Sequence, residues 1–180
     1  MKKTHVQPPN HQYSFLEVLA MAITGWQFIE LNLLLIYCYL INNRDGRATA
    51  AAFQSVVNFN IRLNMTDAAA QVALENHKLL PEWNHLHSKL GKRSKKRNDL
   101  VHFMALPKDF SDDPEMILRS SIFDVGNAEP REYDKKQLME INTSFLNLKE
   151  EMDFFLAKLG DWRRPSKKKS HARPSGQHEL

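Results

Sequence analysis

The residues best suited to chemistry stand near the middle of the chain, where Arg97 and Asn98 are followed by His102. Histidine titrates near neutrality, so it can accept or donate a proton. Arginine stays charged, and its planar fork of donors grips phosphate oxygens. The set suits acid–base chemistry beside an anionic ligand. On a helix, Asn98 and His102 share a face, being four residues apart. Arg97 lies about 140° around the helix from His102, at 100° per residue. One chain brings that pair together only awkwardly. The long Arg97 side chain, or a second motif across a dimer axis, would resolve this.

Six bases and no acid occupy the stretch from Lys89 to Arg97. Of these, Lys92, Arg93, Lys95 and Lys96 flank the motif and would attract a polyanion in a salt-sensitive way. The plain alternative is a solvated helix face. Asp99 and Glu30 are the acids available to orient Arg97 or His102; an Arg97–Asp99 ion pair is the simpler use of Asp99. His85 and His87, two apart, point to different sides of a helix and make a poor chelate, so no metal site is expected. Cys38 sits in the most apolar stretch and reads as a core residue rather than a nucleophile.

The elements that must position these residues are helical. Ser14 with Glu17 forms a capping-box pattern. It opens a helix to about Ile41 that is apolar almost all round and therefore central. Residues 47–77 read as one or two helices, with Phe53, Val56 and Val57 on one apolar face and Thr66-Asp67 capping a second segment. Pro81 opens a helix over 81–106 whose stripe (Trp83, Leu86, Leu90) stops at Leu90 and resumes at Leu100, Val101 and Met104. Residues 107–133 read as a loop, with a short extended piece around Met116–Leu118 or Ile122-Phe123. Asp134 with Gln137 caps a last helix whose Leu138, Ile141, Phe145, Leu148, Met152, Phe155 and Leu159 make a heptad seam, stopped by Gly160. The expectation is an all-α bundle of four or five helices over residues 13–160. A flexible arm (1–12) precedes it, and a disordered basic tail (161–180) follows.

The chain's 180 residues, 42% of them apolar, suffice for one domain with a real core. The net charge of +4 lies entirely in residues 161–180, which hold six bases and two acids. The body is neutral, so the high pI is no argument about the fold. Residues 15–41 are apolar enough to raise a membrane span, but Glu17, Gln27, Glu30 and Asn32 interrupt them and favour a buried helix. With a single cysteine and no apolar leader, the expected compartment is the cytoplasm. Walker and dinucleotide-binding glycine motifs are absent.

Arg97-Asn98-x-x-x-His102 resembles the R-x4-6-H motif of HEPN domains (higher eukaryotes and prokaryotes nucleotide-binding), in which a polar residue, often Asn, follows the Arg. The spacing alone is common: Arg164–His171 and Arg173–His178 also satisfy it, within the tail. Context separates Arg97–His102, which stands on a helix of an all-α chain, with Leu100-Val101 before the His, Phe103 after it and a long amphipathic helix to follow. The resemblance covers residues 12–160 in helical layout. It implies a small helical bundle, and for active members a metal-independent endoribonuclease of toxin–antitoxin or defence systems. Such members are homodimers with a composite site, and a toxin among them would have a cognate antitoxin. The RNA's own 2′-hydroxyl would attack the phosphodiester, with Arg97, Asn98 and His102 as catalytic residues and no cofactor. Other members are non-catalytic modules that bind RNA, a nucleotide or a protein. A helical adaptor assembling through the Leu138–Leu159 seam is a third reading of the same residues.

Overall fold

The computed structural model describes residues 13–42, 45–112, 114–120 and 130–163. The expected N-terminal arm, Ile122-Phe123 and residues 164–180 of the expected tail lie outside them. Among the described residues the fold is a bundle of five helices carrying a small three-stranded sheet.

Helix α1 (Phe15–Ile41) starts at the expected capping box: Ser14 Oγ accepts from the Glu17 N–H, and Glu17 Oε2 accepts from the Ser14 N–H at 2.6 Å. It ends at Asn42, whose left-handed backbone (φ 51°) an asparagine tolerates better than most residues. By length and composition α1 could cross a membrane. Here Val18, Ala22, Trp26, Ile29, Leu33, Ile36 and Leu40 form a single buried face. Trp26 is the junction of that face, with its ring edge-on to Phe59 and Phe145 at 4.9 and 5.1 Å.

The next segment makes two helices, α2 (Gly46–Gln54) and α3 (Phe59–Ala73). The cap of α3 is Asn58, whose Oδ1 accepts from the Asn60 and Ile61 N–H groups, rather than Thr66-Asp67. Thr66 is buried inside the helix and donates back to the Arg62 carbonyl, while Asp67 accepts from Trp83 Nε1. Of the expected apolar face, Phe53 is buried and Val57 is exposed.

Helix α4 (Leu80–His102) has Pro81 in its first turn, as expected, but stops four residues short of the expected end. Phe103 turns extended, and its N–H closes the helix on the Asp99 carbonyl at 2.9 Å. Strand β1 (Met104–Pro107) follows and pairs antiparallel with β2 (Met116–Arg119), which pairs with β3 (Glu132–Tyr133). Met104 therefore belongs to a half-exposed strand and not to the helical stripe. Leu118 and Tyr133 face each other across the β2–β3 ladder, and both enter the core.

Asp134 and Gln137 exchange side-chain-to-backbone bonds at the start of α5 (Lys135–Arg163). Gly160 does not stop it. Its φ is not positive, and a Cβ there would make only an ordinary contact, 3.9 Å from the Tyr39 hydroxyl, so neither backbone conformation nor space sets this position apart from the rest of the helix. The helix continues through Trp162, against His77 at 5.4 Å, to Arg163, which donates to the Leu40 carbonyl.

All seven residues of the α5 seam are buried, most of them against α1. The seam is intramolecular core and not free to assemble an adaptor. Helices α1 and α5 run parallel: Gly25 abuts Asn142 and Phe145, Asn32 donates to Asp153, and Tyr39 meets Gly160. Helix α4 runs against α5, with Glu82 beside Lys158, Lys89 beside Glu151 and Arg93 beside Ser144.

Candidate functional site

The apolar gap in α4 does not break the helix. Ser94, 4% exposed, fills the core-facing position midway along it, and its hydroxyl donates to the Gly91 carbonyl. A small residue that satisfies its own polar group costs little there. Helix α4 thus runs straight into the motif.

The last turn of α4 is fastened by Asp99. Its side chain is 7% exposed, accepts from Tyr133 Oη at 2.6 Å and pairs with Arg131 at 3.0 Å. Lys96 Nζ donates to the Tyr133 hydroxyl at 2.9 Å. Phe103 lies between the Tyr133 ring (5.8 Å) and the Arg131 guanidinium (5.1 Å). Burial, and then the bond to Asp99, raise the Tyr133 hydroxyl's pKa, so the phenol remains a donor. Asp99 contacts neither Arg97 nor His102, so the Arg97–Asp99 pair expected as the simpler use is not formed. Residues two apart on a helix point roughly 200° from each other, which turns Asp99 to the sheet and Arg97 to α1.

Arg97 meets Glu30, the other acid proposed from the sequence. Glu30 Oε1 accepts Trp26 Nε1 at 2.7 Å and Arg97 Nη2 at 3.4 Å, while Oε2 accepts Arg62 Nη2 at 2.6 Å. The Arg97 contact is long for a hydrogen bond, as is its 3.4 Å approach to Asn98 Oδ1. The Arg97 side chain stays 33% exposed, against 15% for Arg62. Arg97, Glu30, Gln27, Ile23 and Val101 line a cleft of about 220 Å³ between α1 and α4.

Asn98 and His102 are exposed on one face of α4, and His102 makes no hydrogen bond or ion pair among the described residues. Arg97 therefore points inward to α1, and His102 points outward. The basic quartet also divides. Arg93 donates to Ser144 and Lys96 to Tyr133, whereas Lys92 and Lys95 are exposed with no polar partner among the described residues. Lys89 pairs with Glu151. Four of the six bases in the run, Arg97 among them, thus engage neighbouring elements.

Two larger clefts, of about 520 and 500 Å³, lie at the other end of the bundle, around Glu82 and Lys158. They hold none of the motif. Among the described residues no three His, Cys, Asp or Glu side chains converge as metal ligands. Cys38 is only half-buried, but burial raises its thiol pKa, which disfavours the nucleophilic thiolate. Arg62, Arg131 and Tyr133 were not singled out from the sequence. No local spacing links them to the motif, and only packing brings them to it.

Set against protein families, curated proteins and solved structures, the chain finds no match in any of the three comparisons.

Proposed function

We propose that this chain is a metal-independent endoribonuclease of the HEPN type, acting as a homodimer. The observation that carries the reading is the contrast at the end of α4. The backbone there is fastened by buried Asp99, while Asn98 and His102 stay open to solvent and Arg97 keeps a third of its side chain exposed beside Glu30. Rigid support with reachable polar groups is what a site of pre-organised charge needs.

In this scheme His102 transfers the proton of the attacking 2′-hydroxyl or of the leaving 5′-oxygen. Arg97 carries the charge that develops on the phosphorane-like transition state, and Asn98 orients the His102 ring or a phosphate oxygen. The opposed directions of Arg97 and His102 within one copy are the reason to pair each with the partner copy's motif. Lys92 and Lys95 supply the solvent-facing attraction for the RNA backbone. A toxin or defence role, and with it an antitoxin partner, belongs to the same proposal.

The test is cleavage of total RNA by the purified chain in EDTA, beside Arg97→Ala and His102→Ala, with folding checked by circular dichroism. Both variants should lose at least about a hundredfold, the scale of a missing general acid or base. Cleavage by His102→Ala at the wild-type rate would overturn the assignment.

The engagement of Arg97 by Glu30 favours a second reading, a non-catalytic module that binds RNA, a nucleotide or a protein. It predicts no cleavage, but RNA binding that weakens when Lys92 and Lys95 are neutralised.

A further inference from the structure

We infer that Arg62, outside the motif and on a different helix, is a positioning residue that keeps Arg97 free to bind a phosphate. The inference rests on the RNA reading above and concerns the same site. One carboxylate, Glu30, is shared by two guanidinium groups, and the sharing is unequal. Arg62 is the deeper partner, bonded to Oε2 at 2.6 Å and lying 5.8 Å from the Phe53 ring centre. Arg97 only approaches Oε1, at 3.4 Å, and the Trp26 indole already occupies that oxygen at 2.7 Å.

The cluster of two arginines and one glutamate carries a net charge of +1. Since Arg62 neutralises Glu30 from the inside, the surplus sits on Arg97, the more exposed of the two. Without Arg62 the nearest cation for a largely buried carboxylate is Arg97 itself. A buried carboxylate left short of partners is costly, so Arg97 would close onto it. The cluster would then be neutral and present no charge to an anion. Arg62 never needs to touch the RNA to have this effect. Its Nε–H is buried with no hydrogen-bond partner, so the group is held by its Nη2 bond to Glu30 and by packing.

The test uses a 2′-O-methyl oligoribonucleotide, which can bind but cannot be cleaved, at fixed salt. Arg62→Gln should weaken its binding roughly tenfold, equivalent to about 1.4 kcal/mol. Arg62→Lys, which keeps the inner charge, should stay near wild type. The double variant Arg62→Gln/Glu30→Gln should recover, because removing the carboxylate releases Arg97 again. Because Glu30→Gln also relieves the stability cost of an unpaired carboxylate, urea midpoints are read beside binding, and the positioning role requires the tenfold loss in Arg62→Gln protein that is fully folded under the binding conditions. Wild-type binding by Arg62→Gln, or no recovery in the double variant, overturns the inference.

If the wild-type chain binds no RNA, the functional reading falls, and the Arg97 Nε–H resonance decides the present point. It should become ordered and exchange-protected in Arg62→Gln and revert in the double variant; an unchanged resonance overturns the inference. Should Arg62→Gln not fold, Glu30→Gln alone gives the converse test. Freeing both arginines must raise affinity or mobilise the Arg97 resonance, and the absence of both changes overturns the inference.

Discussion

Replacing Asp99 by Ala should loosen the end of α4 without unfolding the bundle. The carboxylate receives two donors of different worth. The Tyr133 hydroxyl, at 2.6 Å in a buried setting, makes a charge-assisted bond worth about 1.5–3 kcal/mol. The Arg131 pair, at 3.0 Å, involves a half-exposed guanidinium and adds at most about 1 kcal/mol. Against these stands the desolvation of a carboxylate that is almost wholly covered, which the substitution relieves. After the change the Tyr133 hydrogen has no acceptor, because Lys96 approaches the same oxygen as a donor. A net loss of about 2 kcal/mol is expected, concentrated where the sheet meets α4. Urea unfolding gives the global figure, and hydrogen exchange gives the location. Exchange should accelerate in residues 100–107, 116–120 and 131–134, but not in α1 or the middle of α5. RNA cleavage should fall with it, although Asp99 faces away from Arg97 and His102. Stability within about 0.5 kcal/mol of wild type, the range of a neutral surface change, with unaltered exchange at the sheet, would refute the fastening role.

Four further outcomes follow. Met152→Ala should lower stability by about 3 kcal/mol in denaturant, and should leave the sedimentation coefficient unchanged because the α5 seam is internal. Gly25→Val should cost about 2 kcal/mol by thermal unfolding, since even a Cβ there lies 3.3 Å from Asn142 Oδ1 and 3.7 Å from Phe145 Cβ. The Tyr133 phenol has a folded pKa raised above its ordinary value of 10.0, first by burial and then by Asp99. Its contribution is therefore complete below that value and is lost as pH rises through the folded pKa; urea midpoints should fall in strong base, and Tyr133→Phe should flatten that fall. Neutralising Lys92 and Lys95 together should reduce the salt slope of RNA binding by about two, less than neutralising the whole quartet would suggest from charge alone.

Patterns carried by neighbouring residues were legible without any structure. Ser14 with Glu17 and Asp134 with Gln137 mark their helix starts because each cap closes within four residues. The alternating threes and fours from Leu138 to Leu159 announce one buried face, and the almost wholly apolar stretch from Leu31 to Ile41 announces the central helix. The same local rules failed where two signals competed. Asn58 and Thr66 are both acceptable caps, and the register that buries Phe59, Leu63 and Ala70 selects Asn58. Gly160 reads as a stop, yet it remains helical because the following turn packs Trp162 on the core beside His77 and ties Arg163 to the Leu40 carbonyl.

The chain's residue order by itself determined the helical segments, the caps that open α1 and α5, and the placing of Arg97, Asn98 and His102 on one helix. It also set the direction of each side chain around that helix, since 100° per residue is a local property. Only the tertiary structure decided what each direction meets. It turned Arg97 to Glu30 and Arg62, and Asp99 to Arg131 and Tyr133. It left Asn98, His102, Lys92 and Lys95 to solvent. Residues 30, 62 and 97 come from three helices. Their charges are balanced by packing distances of a few ångströms, which no spacing along the chain records.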